Sequence, residues 1–193
     1  INLTDKDNLY KSQILFDSEA TSENQRYSFN PLTISVDLDN KIILYFGTGD
    51  ITKLELKDSI TKNKVFAVKD LEFTNFNQSS LPLKEDNLKQ IIDEKICDET
   101  ENGWFYNLEP NRKITGKAAI KKNLIYFSSY RPNFDDLCMA GSGSLFEFSY
   151  SCGKLLNTVE LKEGAPTGAT LFQNKIYIGI SGTPNNKVIN LSD

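Results

Sequence analysis

Three times along the sequence, a short apolar segment runs into an Asn- or Asp-bearing turn and returns as a second apolar segment. These ribbons occupy residues 32–46, 118–128 and 169–180, with turns at 37–40, 121–123 and 173–174. Segments this short, rich in Val, Ile, Phe and Tyr and punctuated by Gly, Asn and Asp, read as strands joined in hairpins. Each ribbon is followed by a Gly-containing connection and a further strand, at 64–70 (KVFAVKD), 144–150 (SLFEFSY) and 187–191 (KVINL). Residues 104–108 and 155–161 supply a fourth strand to the first two units. The second and third turns lie 51 residues apart, from Asn123 to Asn174. Four-stranded units repeating at about 40–50 residues are the pattern of propeller blades, which bury their faces only by stacking on one another. The expected fold is therefore all-β, as part of a β-propeller with blades of four antiparallel strands. Residues 1–193 form one such unit, with a loop-rich lead-in at 1–30 and about three to four blades over 31–193. A closed ring uses about four to eight blades, so the chain is either a piece of a larger propeller or an open stack that needs a partner. A β-sandwich with several hairpins is the alternative.

One segment breaks the strand pattern. Residues 83–96 (LKEDNLKQIIDEKI) place Leu88, Ile91 and Ile92 near helical spacing with charges on the other face, which predicts a short inserted helix. The lead-in carries at most one strand, at residues 13–16.

The chain of 193 residues contains no histidine. That removes Ser-His-Asp and Cys-His catalysis, His-ligated zinc and histidine general-base chemistry. Carboxylate chemistry and calcium binding stay open. Net charge is −4, and the 22 basic residues are scattered. Nucleic acid needs a concentrated basic stripe, so it is not an expected partner. No apolar run approaches the roughly 20 residues of a membrane span. Ile1 is not followed by a signal-peptide pattern, which points to a mature or excised fragment.

Candidate sites are few. Asp37, Asp39 and Asn40 offer three oxygens to a calcium ion, against a simple Asx turn. Gly47 and Gly49 flank Thr48 and read as a tight turn. Trp104 reads as an inter-blade packing residue. Asp135 and Asp136 are adjacent, which is the wrong geometry for two carboxylates facing one bond. The cysteines are Cys97, Cys138 and Cys152, with no CxxC pair. A Cys138–Cys152 disulfide is expected, leaving Cys97 unpaired. Residues 134–143 form a long loop between strands, and loops on rigid scaffolds carry contacts. Phe134, Asp135, Asp136 and Met139 are the interaction candidates there, with the insertion at 83–97 second. No catalytic residue and no cofactor is expected, beyond calcium at the 37–40 turn.

Several stretches, taken in order, resemble the C-terminal domain of type IV pilus tip-associated proteins of the PilC/PilY type. They are residues 42–50 (IILYFGTGD), 64–70 (KVFAVKD) and 103–108 (GWFYNL), with a charged turn at 111–113. The fourth is residues 124–153, with Pro132, Asp136, Cys138, Gly141, Gly143 and Gly153 at the family's positions, and the last is residues 163–180. The family's Asp-x-Asp-x-Asp calcium loop has no full match. The resemblance implies a quinoprotein-like propeller and an extracellular place on the cell surface or pilus tip, reached through the periplasm. It further implies a role in pilus biogenesis and cell adhesion, with minor pilins and a host or abiotic surface as partners, and no enzymatic activity. A carbohydrate- or surface-binding β-module unrelated to pili is the alternative function, and a quinoprotein-like enzyme a third.

Overall fold

The computed structural model describes residues 13–37, 39–55, 62–73, 81–92, 97, 100–136, 138–181 and 187–190. They form three β-sheets in chain order. The first holds β1 (Thr33–Val36), β2 (Ile42–Gly47), β3 (Lys64–Asp70), β4 (Lys89–Gln90) and β5 (Gly103–Asn107), in the spatial order β1-β2-β3-β5-β4. The second holds β6 (Lys113–Ile114), β7 (Ala119–Lys121), β8 (Leu124–Arg131), β9 (Ser142–Ser149) and β10 (Leu155–Glu163). There β10, β9 and β8 are neighbours, and β6 and β7 share the other edge of β8. The third holds β11 (Thr170–Phe172), β12 (Lys175–Ile178) and β13 (Lys187–Asn190). Each expected ribbon is thus the start of one sheet, and each expected third strand pairs beside it. The fold is all-β, and none of the three sheets closes on itself.

The middle sheet is covered on both sides. Ile125 and Phe127 of β8, with Phe146 and Phe148 of β9, pack against Tyr45, Val65, Ala67 and Trp104 of the first sheet. Tyr126 and Leu145, one step along the same strands, pack against Ile176 and Ile178 of the third. Successive side chains of a strand point to opposite faces, so a strand covered on both sides must read as a continuous apolar run. Residues 124–128 (LIYFS) read that way. The back of the first sheet is closed by the lead-in and by residues 81–88. Phe16 meets Phe46 and Phe66 with ring centroids 5.8 and 5.2 Å apart, and Leu15, Leu81, Leu83 and Leu88 complete that cluster.

Near their first strands the sheets come into backbone contact. A Cβ on Gly116, just before β7, would lie 2.2 Å from the Cα of Gly168, just before β11. Only two glycines allow the backbones so near. Thr33 of β1 donates its hydroxyl to the Ala118 carbonyl at 2.7 Å. Large rings fill the space between the later strands of the first two sheets. Trp104 lies 5.5 Å from Phe148, and Tyr106 lies 5.2 Å from Phe148, between ring centroids.

A tyrosine repeats at one position of each ribbon: Tyr45 in LYF, Tyr126 in IYF and Tyr177 in IYI. Tyr45 and Tyr126 are buried on the face that meets the following sheet. Burial pushes the Tyr126 phenol up to about 12, with the Glu147 charge adding to it, and raises Tyr45 further. Tyr177 is 36% exposed.

Glu147 pairs with Tyr126 across β9 and β8, half-buried, and burial lifts its carboxyl above the ordinary value. A raised carboxylate binds its proton more tightly folded than unfolded. The stability is therefore present at low pH and falls as pH rises from about 4.5 through the folded value. Glu147→Gln should raise the melting temperature at pH 8 and leave it unchanged at pH 4, as read by thermal melts. An equal effect at both pH values would contradict this.

Three expectations are corrected. The disulfide joins Cys97 to Cys152, and Cys138 is free and exposed. Cys138 and Cys152 lie beyond opposite ends of β9, an eight-residue strand. A strand of that length spans about 26 Å, whereas bridged cysteines need Cα atoms within about 7 Å. Cys152, in the turn after β9, instead meets Cys97, in the connection between β4 and β5, with Cα atoms 5.4 Å apart. The helix over 83–96 does not form within its described part, residues 83–92. Glu85–Asn87 is one 3-10 turn and Lys89–Gln90 pairs parallel to β5, so not every strand is antiparallel. Packing overrides the helical spacing there: Leu88 enters the cluster behind the first sheet, Ile91 enters the one in front, and Ile92 is 80% exposed. Residues 93–96 lie outside the described residues. The lead-in strand at 13–16 reduces to one bridge, between Phe16 and Leu83.

Candidate functional site: a turn-built loop where three sheets meet

Between Arg131, the last residue of β8, and Ser142, the first of β9, the chain is described at residues 132–136 and 138–141; Leu137 lies outside the described residues. Pro132 has no N–H to offer a ladder and ends the pairing. Beyond it, side-chain carboxyls and amides replace the ladder. Asn133 accepts from the N–H of Asp135 at 3.0 Å and of Asp136 at 3.2 Å through Oδ1. Asp136 accepts from the Cys138 N–H at 2.9 Å through Oδ1, and from the Met139 N–H at 3.1 Å through its carbonyl. These are consecutive Asx turns, in which short polar side chains fix the backbone locally. The loop returns through Gly141, whose N–H donates to the Tyr130 hydroxyl at 3.0 Å. A Cβ there would sit 2.1 Å from the Arg131 carbonyl oxygen, so only glycine fits. The Gly141 carbonyl accepts from Gly164 at 2.9 Å, which ties the loop base to the third sheet's lead.

The tip stands clear of this base. Asp135, Asp136, Cys138 and Met139 are exposed, and Phe134 is half-buried. On one side lies an open pocket of about 590 Å³, lined by Asn111, Arg131, Asn133, Phe134 and Asp135 among others. A second of about 320 Å³ is lined by Leu54, Glu55, Tyr130, Met139, Gly164 and Ser181, with Cys138. It draws on connections from all three sheets. Leu54 is brought there because the Lys113 ammonium donates to the Lys53 carbonyl at 2.6 Å. Asp50 starts that turn by accepting from Thr52, which holds its carboxyl below the usual range.

Beneath the loop, charge is consumed internally. Arg112 is buried and donates to Ser144 Oγ at 2.7 Å, Ser129 Oγ at 3.3 Å and Glu109 at 3.2 Å. Ser144 donates to Glu160 at 3.1 Å. Arg131 lies 3.6 Å from Glu109. These bonds use both terminal nitrogens of the guanidinium, while its buried Nε has no hydrogen-bond partner among the described residues.

Phe134, Asp135, Asp136 and Met139 lie on one loop. The structure separates them from the calcium candidates. Asp37 accepts from the N–H groups of Asp39 at 3.0 Å and Lys41 at 2.8 Å, an Asx turn, and Asn40 takes a φ of 61°. Leu38 lies outside the described residues. Among the described residues, no group of three or more His, Cys, Asp or Glu side chains is placed to hold a metal ion. Trp104 is buried between sheets. Leu54, Glu55, Gly164 and Ser181 were not foreseen at the site. Gly164, with a φ of 108°, was a visible sign of a close approach there.

Neither a family model nor a curated protein matches the sequence. A solved structure, that of the computationally designed Ika4 protein, matches at 14% identity and a TM-score of 0.32, over 94% of this chain and 100% of that one. No helix among the described residues is long and apolar enough to cross a membrane.

Proposed function

We propose that the three sheets are consecutive blades of a β-propeller, and that the chain is a binding module which recognises a protein partner through residues 131–142. The blade reading is supported by the strand order of each sheet and by their wedge-like approach, backbone to backbone at the first strands and ring to ring beyond. The observation that carries the binding reading is the loop itself: exposed Asp135, Asp136 and Met139 on a turn-fixed backbone above a buried Arg112 network. A rigid loop loses little conformational freedom on binding. In this reading the partner is a pilus subunit, the chain promotes pilus assembly and adhesion, and its place is outside the cell. The pilus assignment rests on the resemblance of residues 42–50, 103–108 and 124–153. The Cys97–Cys152 bridge fits an oxidising compartment.

The test is capture of purified minor pilins by the immobilised protein. The triple substitution Phe134→Ala, Asp135→Ala, Met139→Ala should weaken capture by about tenfold or more. Its melting temperature should fall by no more than about 5 °C, since Asp135 and Met139 are exposed and only Phe134 is half-buried. Undiminished capture by this variant would remove the loop from the account. No capture by the original protein would remove the pilus partner.

A further inference from the structure

Both ends of the stack carry an open apolar face. On the third sheet, Phe172 is 59% exposed beside Tyr177, with Val188 on the same face. Tyr177 holds the position that Tyr45 and Tyr126 hold in the two preceding sheets, and each of those is covered by the ribbon of the next sheet. On the first sheet, the described part of the lead-in covers Phe46, Phe66, Val68 and Phe105 and leaves the strip formed by β1 and the start of β2 exposed. Ile34 and Val36 are 61% and 54% exposed, beside Ile42 and Leu44. Leu44 corresponds to Ile125 and Ile176, which are both fully buried against the preceding sheet. The internal interfaces press first strands together. The open strip on β1 and β2 is therefore the part of the first sheet that a preceding sheet would contact most closely. One chain thus carries the outer face of the third sheet and, on the first, the first-strand strip of the face that such a sheet meets, the rest of it being covered by the lead-in. The two faces also differ in charge, with Lys175 on the third sheet and Asp70 on the first.

We propose that these two faces dock on each other between two copies of the chain, head to tail, so that the third sheet of each copy packs on the first sheet of the other. Two copies then place six sheets around one axis, within the roughly four to eight that closed rings use. The arrangement rests on the blade reading, in which the three sheets of each copy turn through half of a six-bladed ring, so that two head-to-tail contacts close it.

The test is the mass of the purified chain by light scattering and sedimentation velocity at micromolar concentration, with Tyr177→Glu and Ile34→Glu as variants. Both sites are solvent-exposed in the single chain, so each variant should fold with unchanged circular dichroism. The original protein should be a dimer. Each variant alone should associate about thirtyfold more weakly or worse, as loss of a central aromatic or aliphatic anchor does. Mixing the two variants should recover a dimer, because the intact third sheet of one meets the intact first sheet of the other. A monomeric original protein overturns the inference, as does a dimer that Ile34→Glu leaves intact, which would mean two like faces meeting. Pilin capture by residues 131–142 does not depend on this dimer, so the two readings fail separately.

Discussion

Truncating Trp104 to alanine should cost about 3–5 kcal/mol of folding free energy, the range for removing a large buried ring. For a chain of this size that is a fall in melting temperature of roughly 6–20 °C. The indole sits between the first and second sheets, with Phe148 at 5.5 Å and Tyr45 at 6.4 Å between ring centroids. Gly153 lies so close that a Cβ on it would be 2.4 Å from the ring. Gly153 bears no side chain that could fill the void. The indole N–H donates to the Tyr150 carbonyl at 3.4 Å, a long bond. Such a bond is worth about 1 kcal/mol net at most, so the cavity term dominates. Trp104→Phe loses the hydrogen bond and keeps most of the ring, and should cost about 1–2 kcal/mol. Chemical denaturation of both variants checks the order. Equal losses would mean that the hydrogen bond outweighs the packing.

Breaking the Cys97–Cys152 bridge should be nearly as damaging. It closes a loop across 55 residues and ties the connection between β4 and β5 to the turn after β9. The chain-entropy model gives about 4 kcal/mol for a loop of that length. The two serine variants should differ. Cys97 is exposed, so Cys97→Ser loses the cross-link alone. Cys152 is buried, and Cys152→Ser adds the burial of a hydroxyl, about 1–3 kcal/mol more if it finds no partner. Cys138→Ser should leave stability unchanged, because that thiol is exposed and free. Urea melts of the three variants, with and without reductant, decide the matter. Destabilisation by Cys138→Ser, with Cys97→Ser neutral, would contradict the observed pairing.

The strands were legible because they obey local rules. Residues 41–46, 64–68, 124–128 and 175–178 each carry enough β-branched and aromatic side chains to exclude other readings, and their turns carry the residues that turns require. Where the sequence misled, a long-range contact decided. Leu88 and Ile91 are spaced as on a helix, yet each is claimed by a different face of the first sheet. The edge of β5 offers the backbone a partner, as in the Ile91 N–H to Phe105 carbonyl bond at 2.8 Å. The disulfide was readable in principle, because the strand at 144–149 already lay between Cys138 and Cys152 and held them apart. The short strands β4 and β6 carry no apolar alternation and were invisible. At the site, the Asn133 and Asp136 turns follow from residue type. The arrival of Leu54 and Ser181 beside Met139 follows only from the stacking of three sheets.

The claim on which the rest depends is that the sheets follow one another as a fan, narrow at the first strands. A crystal structure of the chain measures this directly, through the glycine pair Gly116 and Gly168 between the second and third sheets and, between the first and second, through the Thr33–Ala118 separation against that of Trp104 from Phe148. The account predicts backbone contact at the glycine pair, rings about 5–6 Å apart at the aromatic pair, and Tyr126 covered by Ile176 and Ile178. Two parallel layers of equal spacing, with Tyr126 facing solvent, would contradict it.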